Sequence, residues 1–416
     1  MKIIKSDLFK VYLFLLFPGY FFFHVFHSMG YVPYFGWFGA FALAGTLLIT
    51  LSSILKKRNP ITEFTGSALL TALPSVALLI YMTLITLINH VVYPETKYFD
   101  DAGLRWSLTN ILLLAALFVI GANLKVKVGK KYKALIFIVY AGFAFFTWEF
   151  YSKENFTMIL PVVQGGGVEN TATYQSLAMC VLYTSLILCP FIDGRNSKIF
   201  LMTASTAILY FIGSRTEFFL LIAVIPAFML IQYGLKASIL MSILLSPLAV
   251  YAALSFGLND RFISVFGSSQ SMDERTMLFQ AGIEGILRNP FVGDYLGQVR
   301  DFGNAGAYIH NILSVYQQYG ILAFSMFIAL TMCSIMTAFK YFRYARSIPQ
   351  VEILVYSVIV STIGIIVSKP IGWPYPAFAW GTACFVMNLM NKRRKVCSAS
   401  VEHQLQVSFA DPGARS

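Results

Sequence analysis

Three side chains that lie far apart in this sequence have the types needed to break a bond to a phosphate and deliver the freed group to a hydroxyl. Arg215 stands in Ile212-Gly213-Ser214-Arg215-Thr216-Glu217, wedged between two stretches apolar enough to cross a membrane. A guanidinium there keeps its charge, gives up hydration, and offers a planar fork that matches phosphate oxygens, so its position invites an anionic partner. Arg275 falls in the first turns of an amphipathic segment, where an anion would also meet the partial positive charge of a helix N-terminus. His310 lies at the water boundary of a long apolar run, and an imidazole with an ordinary pKa near ~6.5 is the natural general base at neutral pH. Asn311 beside it could fix a sugar hydroxyl or orient the ring. Each residue also has a plainer role. An arginine at a helix end snorkels or caps, and Arg275 beside Asp273 and Glu274 reads as a solvated helix charge. His310 could cap its helix, and Glu217 could pair with Arg215.

The elements that must position these groups follow from composition. The chain is 57% hydrophobic, 16% aromatic and only 12% charged, with a mean hydropathy of +0.69, too apolar for a soluble globule. An all-α, polytopic integral membrane protein is the expectation. The net charge of +12 would suggest nucleic acid in a soluble protein; here it reads as basic loops held against anionic lipid, with no nucleic-acid partner. Four of the five cysteines, Cys180, Cys189, Cys333 and Cys384, lie inside apolar runs, and Cys397 lies in a basic tail. Neither a disulfide framework nor a zinc pattern is visible.

About twelve runs approach the ~20 residues that span a bilayer. They fall near 8–27, 33–55, 67–92, 107–124, 134–150, 173–192, 198–214, 216–235, 237–257, 311–339, 351–368 and 372–390. With alternating loops assigned to two sides, 22 of the 31 basic residues fall on one side and 9 on the other. The basic side is cytoplasmic, which places both termini inside and Arg215, Arg275 and His310 outside. The first run lacks a small-residue cleavage site at His27-Ser28-Met29-Gly30 and reads as a retained signal anchor. Residues 1–392 form one transmembrane domain, and 393–416 are polar enough to be a disordered cytoplasmic tail.

Three outer segments stand out. The first, 93–106, reads as a solvated connector. The second, 151–172, leads through Glu169-Asn170-Thr171 into a helix that Asn170 or Thr171 could cap. The third, 258–310, between the ninth and tenth runs, holds four of the nine outer cations and is the expected working surface. Within it, Ser271-Met272-Asp273-Glu274 has capping-box spacing, and Met277, Leu278, Ala281 and Leu287 lie near one face of a helix that Asn289-Pro290 ends.

The order of these features resembles that of the O-antigen ligase and O-antigen polymerase superfamily. The resemblance rests on Ser214-Arg215-Thr216 at an outer helix end, then Arg275 and an apolar stretch closing in Arg288-Asn289-Pro290-Phe291-Val292-Gly293, then His310-Asn311 with Gly320 downstream. It covers residues 150–340 in motif order and the whole chain in helix count. It implies a GT-C-like fold with a helical periplasmic catalytic loop, in the bacterial inner membrane. The implied activity is glycosyl transfer from an undecaprenyl-diphosphate-linked glycan at the periplasmic face. Arg215 and Arg275 would hold the diphosphate and His310 would take the acceptor proton, with Ser214, Thr216, Arg288 and Asn311 binding substrate. Because no Asp-x-Asp motif occurs in an outer loop, transfer is expected to need no metal and no cofactor. Besides membrane lipid, a flippase and a chain-length regulator are the implied partners.

The acceptor stays open. A polymerase extends a lipid-linked repeat unit, whereas a ligase moves the finished chain to lipid A-core; the expectation leans to the polymerase. The rival class is a polysaccharide transporter without chemistry. Such a protein should carry ionisable residues or broken helices near the membrane midplane, whereas here the cations gather at the outer end.

Overall fold

A computed structural model describes residues 10–34, 36–54, 66–92, 101–124, 130–161, 173–240, 270–303, 307–369 and 371–410. The chain is mostly helical. Its elements are α1 (Lys10–Leu16), α2 (Pro18–Ser28), α3 (Trp37–Ile54), α4 (Gly66–Val92), α5 (Asp101–Gly121) and α6 (Lys130–Glu149), followed by a hairpin of β1 (Tyr151–Ser152) and β2 (Thr157–Met158). Then come α7 (Tyr174–Leu188), α8 (Arg195–Ile212), α9 (Arg215–Tyr233), α10 (Gln270–Arg288), α11 (Gly297–Phe302), α12 (Leu313–Tyr341), α13 (Pro349–Val367) and α14 (Tyr375–Ala410). The small antiparallel hairpin is an addition to the all-α expectation.

Among the described residues, seven helices are long and apolar enough to cross a membrane: α4, α5, α6, α7, α9, α12 and α13. Each coincides with one of the expected runs. The pair α1–α2, bent by 44° where Pro18 begins α2, makes an eighth if taken as one span. Helices also stand at the expected 33–55, 198–214 and 372–390, but α8 opens on Arg195 and Lys198 and is less apolar. The expected run at 237–257 lies outside the described residues from 241 onward, as do 258–269, Asn170 and Thr171. Thr173 caps α7 instead, its hydroxyl accepting from the Ser176 amide at 3.4 Å. α14 carries helical backbone to Ala410, through most of the stretch read as a tail, since no Gly or Pro interrupts it between Gly381 and Pro412.

α7 is the centre of the bundle. Every residue from Leu177 to Leu188 is buried, and it packs on α2, α8, α9 and α13. A triangle of buried hydroxyls joins it to its neighbours: Tyr140 on α6 donates to Ser185 on α7 at 2.7 Å, and Ser185 donates to Ser205 on α8 at 2.7 Å. Between helices in an apolar environment, such bonds and close backbone approach supply what hydrophobic burial cannot. The close approach is clearest between α5 and α14. A Cβ on Gly121 would lie 2.8 Å from the Thr382 amide, and one on Gly381 would lie 2.9 Å from the Ala122 amide.

Short connections make α7, α8 and α9 alternate in direction. α8, α9 and α13 have 18, 19 and 19 residues, or about 27–29 Å of helix. Two buried ion pairs mark their ends. Lys198 at the start of α8 meets Glu352 at the start of α13, while Glu217 at the start of α9 meets Lys369 just past the end of α13. The two clusters therefore sit at opposite ends of the bundle.

Replacing Gly381 by Val should force α5 and α14 apart and cost about 1–3 kcal/mol or more. Thermal unfolding of the detergent-purified protein should show a clear drop, whereas Gly39→Ala, where an added Cβ meets nothing within 4 Å, should leave the melting temperature in place.

Candidate functional site at the Arg215 end of the bundle

The turn before Arg215 is built with little freedom. Gly213, at φ +80°, closes α8 by donating its amide to Leu209 and Tyr210. A side chain there would be strained and would lie 2.6 Å from the Phe156 carbonyl oxygen. The β1–β2 hairpin pins the same turn, since the Thr157 hydroxyl donates to the Ile212 carbonyl at 2.6 Å. Ser214 is thereby buried and starts α9, and Arg215 and Thr216 follow half-buried in its first turn.

The same first turn of α9 carries Glu217, which a distant cation reaches. Its carboxylate is fully buried, accepts from the Ser214 hydroxyl, and accepts from Lys369 Nζ at 2.5 Å. A buried carboxylate at a helix N-terminus is favoured by the local dipole, yet it still needs a cation to offset its lost hydration. Lys369 also lies 6.0 Å over the Trp373 ring, whose indole packs on Gly364. The signal that could have found Lys369 is the one that singled out Arg215: a lone cation between two apolar runs.

His310 is tied to the Lys369 segment through the backbone on either side. The Ile312 amide donates to the Ile365 carbonyl at 2.7 Å, and the Ile371 amide donates to the Ser314 hydroxyl at 2.8 Å. Ser314 in turn donates to the Asn311 carbonyl at 2.8 Å. The Asn311 side chain accepts from the Leu313 amide at 2.9 Å, an Asx turn that leads into α12. The imidazole is half-buried, with the Tyr308 ring at 5.9 Å and Trp106 a further 5.7 Å beyond Tyr308. Burial, then the nearby charges of Arg275 and Lys369, push its pKa below the ordinary histidine value. Both effects favour the neutral imidazole, the form that can accept a proton. The charge of Arg275 reaches His310, and Lys369 links that pair to the α9 N-terminus.

α10 brings Arg275 to this end by a glycine face. Met277, Phe279 and Leu287, on or near the face expected to be apolar, are exposed; Gly282, Gly285 and Ile286 are the buried positions. A methyl on Gly282 would overlap Ile309, and one on Gly285 would lie 3.1 Å from Asp294. The Pro290-to-Gly293 turn then packs into a break in α12. Gly293 and Gly320, both with positive φ, meet backbone to backbone, with a Cβ on Gly320 reaching to 2.8 Å from the Gly293 amide. Ile321 donates to the Pro290 carbonyl at 3.0 Å, and Asp294 donates to that of Gln317 at 2.7 Å.

Arg288 is engaged in this scaffold, at 3.1 Å from Asp301 and 3.3 Å from the buried Asp294. Arg300 grips the same Asp294 through both terminal nitrogens at 3.1 and 2.8 Å. Arg300 and Arg288 together hold the Asp301 carboxyl below its usual range. The network explains where Arg288 points and leaves Arg275 as the cation of α10 nearest His310.

The Lys369–Glu217 pair should behave as a unit. Lys369→Met leaves a buried carboxylate uncompensated and should cost roughly 3–5 kcal/mol, and adding Glu217→Gln should recover much of the loss in a double-mutant cycle on thermal stability. Arg275→Gln should raise the His310 pKa part of the way back toward its ordinary value, because burial, the larger cause, remains; NMR titration of the imidazole would read this, and an unchanged value would remove Arg275 from its surroundings. No family model, curated protein or solved structure matches this chain, so the chemistry of the site follows from its own residues.

Proposed function

We propose that this chain is a membrane glycosyltransferase of the O-antigen polymerase and ligase type, which joins undecaprenyl-diphosphate-linked repeat units at the periplasmic face. One arrangement carries the reading: an imidazole kept neutral by burial and flanked by the charges of Arg275 and Lys369, at the bundle end where α9 presents Arg215. A neutral base among cations suits a reaction in which a hydroxyl loses a proton while an anion departs.

In that reaction the acceptor oxygen bonds to the anomeric carbon of the donor glycan. The bond from that carbon to the diphosphate breaks, and its electron pair leaves on the diphosphate oxygen. The acceptor proton passes to His310. Arg215 and Arg275 offset charge on the leaving diphosphate, while Lys369 neutralises Glu217. The orientation follows the excess of basic residues on one side, with both termini cytoplasmic. A transporter is disfavoured because the buried charge pairs Lys198–Glu352 and Glu217–Lys369 lie at the ends of their helices, away from the midplane.

Arg215→Ala and Arg275→Ala should each lower transfer by about 10²–10³-fold, the loss typical of one donor to a developing anion. His310→Ala should do at least as much, with membrane abundance unchanged in all three. Surface-polysaccharide ladders on gels give the readout, and normal ladders from all three variants would end the enzyme reading. In a deletion strain, core bearing one repeat unit marks the polymerase; bare core with accumulated lipid-linked polymer marks the ligase.

A further inference from the structure

We propose that the end of the bundle opposite His310 holds a binding site for a phosphate-bearing anion, supplied by an anionic phospholipid headgroup. The proposal rests on the helices crossing a bilayer and is independent of glycosyl transfer. A cavity of about 530 Å³ opens there between the starts of α8 and α13 and the end of α9. Its charged lining is Asp193, Arg195, Lys198, Arg346 and Glu352, joined by Gln232 and Ser347.

The charges in this cavity do not cancel. Lys198 and Glu352 are both buried and satisfy one another at 2.6 Å, with Gln232 donating to Glu352 at 3.0 Å and Tyr356 at 2.7 Å. Asp193 is taken by Lys133 from outside the cavity. That leaves Arg195 and Arg346, neither of which pairs with a carboxylate among the described residues. Arg195 is held in place by stacking on Tyr233, with its guanidinium carbon 4.5 Å from the ring centre. The two helix N-termini that open here, after Gly194 and Ile348, have no side-chain cap. Their dipoles add to the same positive field.

Two guanidinium forks over a satisfied polar floor fit the oxygens of a phosphodiester. The cavity is larger than one phosphate needs, leaving room for a small polar headgroup beside Gln232. Phe200 and Leu235, close in sequence to its residues, are exposed apolar side chains suited to meet the acyl chains. A basic recess between membrane helices at the lipid interface is a place where anionic headgroups bind.

The test uses the full chain purified in detergent, with thermal unfolding followed as lipid is titrated. Phosphatidylglycerol should raise the melting temperature and diacylglycerol, which lacks the phosphate, should not. Arg195→Gln with Arg346→Gln should weaken the phosphatidylglycerol response roughly 30-fold, and each single variant, usable if the double one does not fold, roughly fivefold. Arg343→Gln, an exposed cation at the same end but outside the cavity, should leave the response intact. Competition by inorganic phosphate would keep the phosphate site but assign it to a free phosphate compound. An undiminished response in the Arg195 and Arg346 variants, or an equal loss in Arg343→Gln, would overturn the proposal.

Discussion

A buried carboxylate has to be paid for, and Glu217 sets much of what surrounds it. With no exposed surface, it requires the Ser214 hydroxyl on one oxygen and the Lys369 ammonium on the other. That requirement fixes the start of α9 against the end of α13. Because the Lys369 segment is stitched to the residues beside His310 by one main-chain hydrogen bond and one to the Ser314 hydroxyl, the same pair also sets where the imidazole stands. Removing either charge would leave the other stranded in a medium that cannot solvate it. The pair is thus a registry device between the start of α9 and the end of α13.

Glycine does the rest of the positioning. Gly213 lets the chain reverse so that Arg215 begins a helix directly after α8 ends. Gly282 lets α10 close on Ile309, beside His310, and Gly293 meeting Gly320 locks the α10-to-α12 turn into a helix break. None of these contacts involves a side chain on the glycine. They work because a neighbouring backbone or, at Gly282, the Ile309 side chain approaches to a distance that a Cβ would block.

Much of the architecture was legible in one dimension because a bilayer imposes its thickness on sequence. All seven helices able to cross a membrane coincide with expected runs, and α10 ends at Arg288, where Asn289-Pro290 is expected to end it, although it begins at Gln270, ahead of the expected Ser271 cap. Local readings failed where partners are distant. Glu217 was matched with Arg215 by proximity in the chain, yet its cation comes from 152 residues away. Asn311, a candidate sugar contact, spends its side-chain oxygen on a helix start, and Arg288 is drawn into the Asp294 and Asp301 network. The buried face of α10 is glycine-based, which a hydrophobic pattern cannot reveal.

The sequence by itself determined the class of protein, the helix positions, the side on which basic residues gather, and the identities of Arg215, Arg275 and His310 as unusual groups. Those properties are sums over nearby residues: hydropathy, charge count and turn chemistry. Only the tertiary structure decided that Lys369 joins them, that His310 sits where burial and the charges of Arg275 and Lys369 favour the neutral imidazole, and that a second cationic recess lies at the far end. Burial and charge proximity arise when helices pack, and they depend on which segments meet across hundreds of residues.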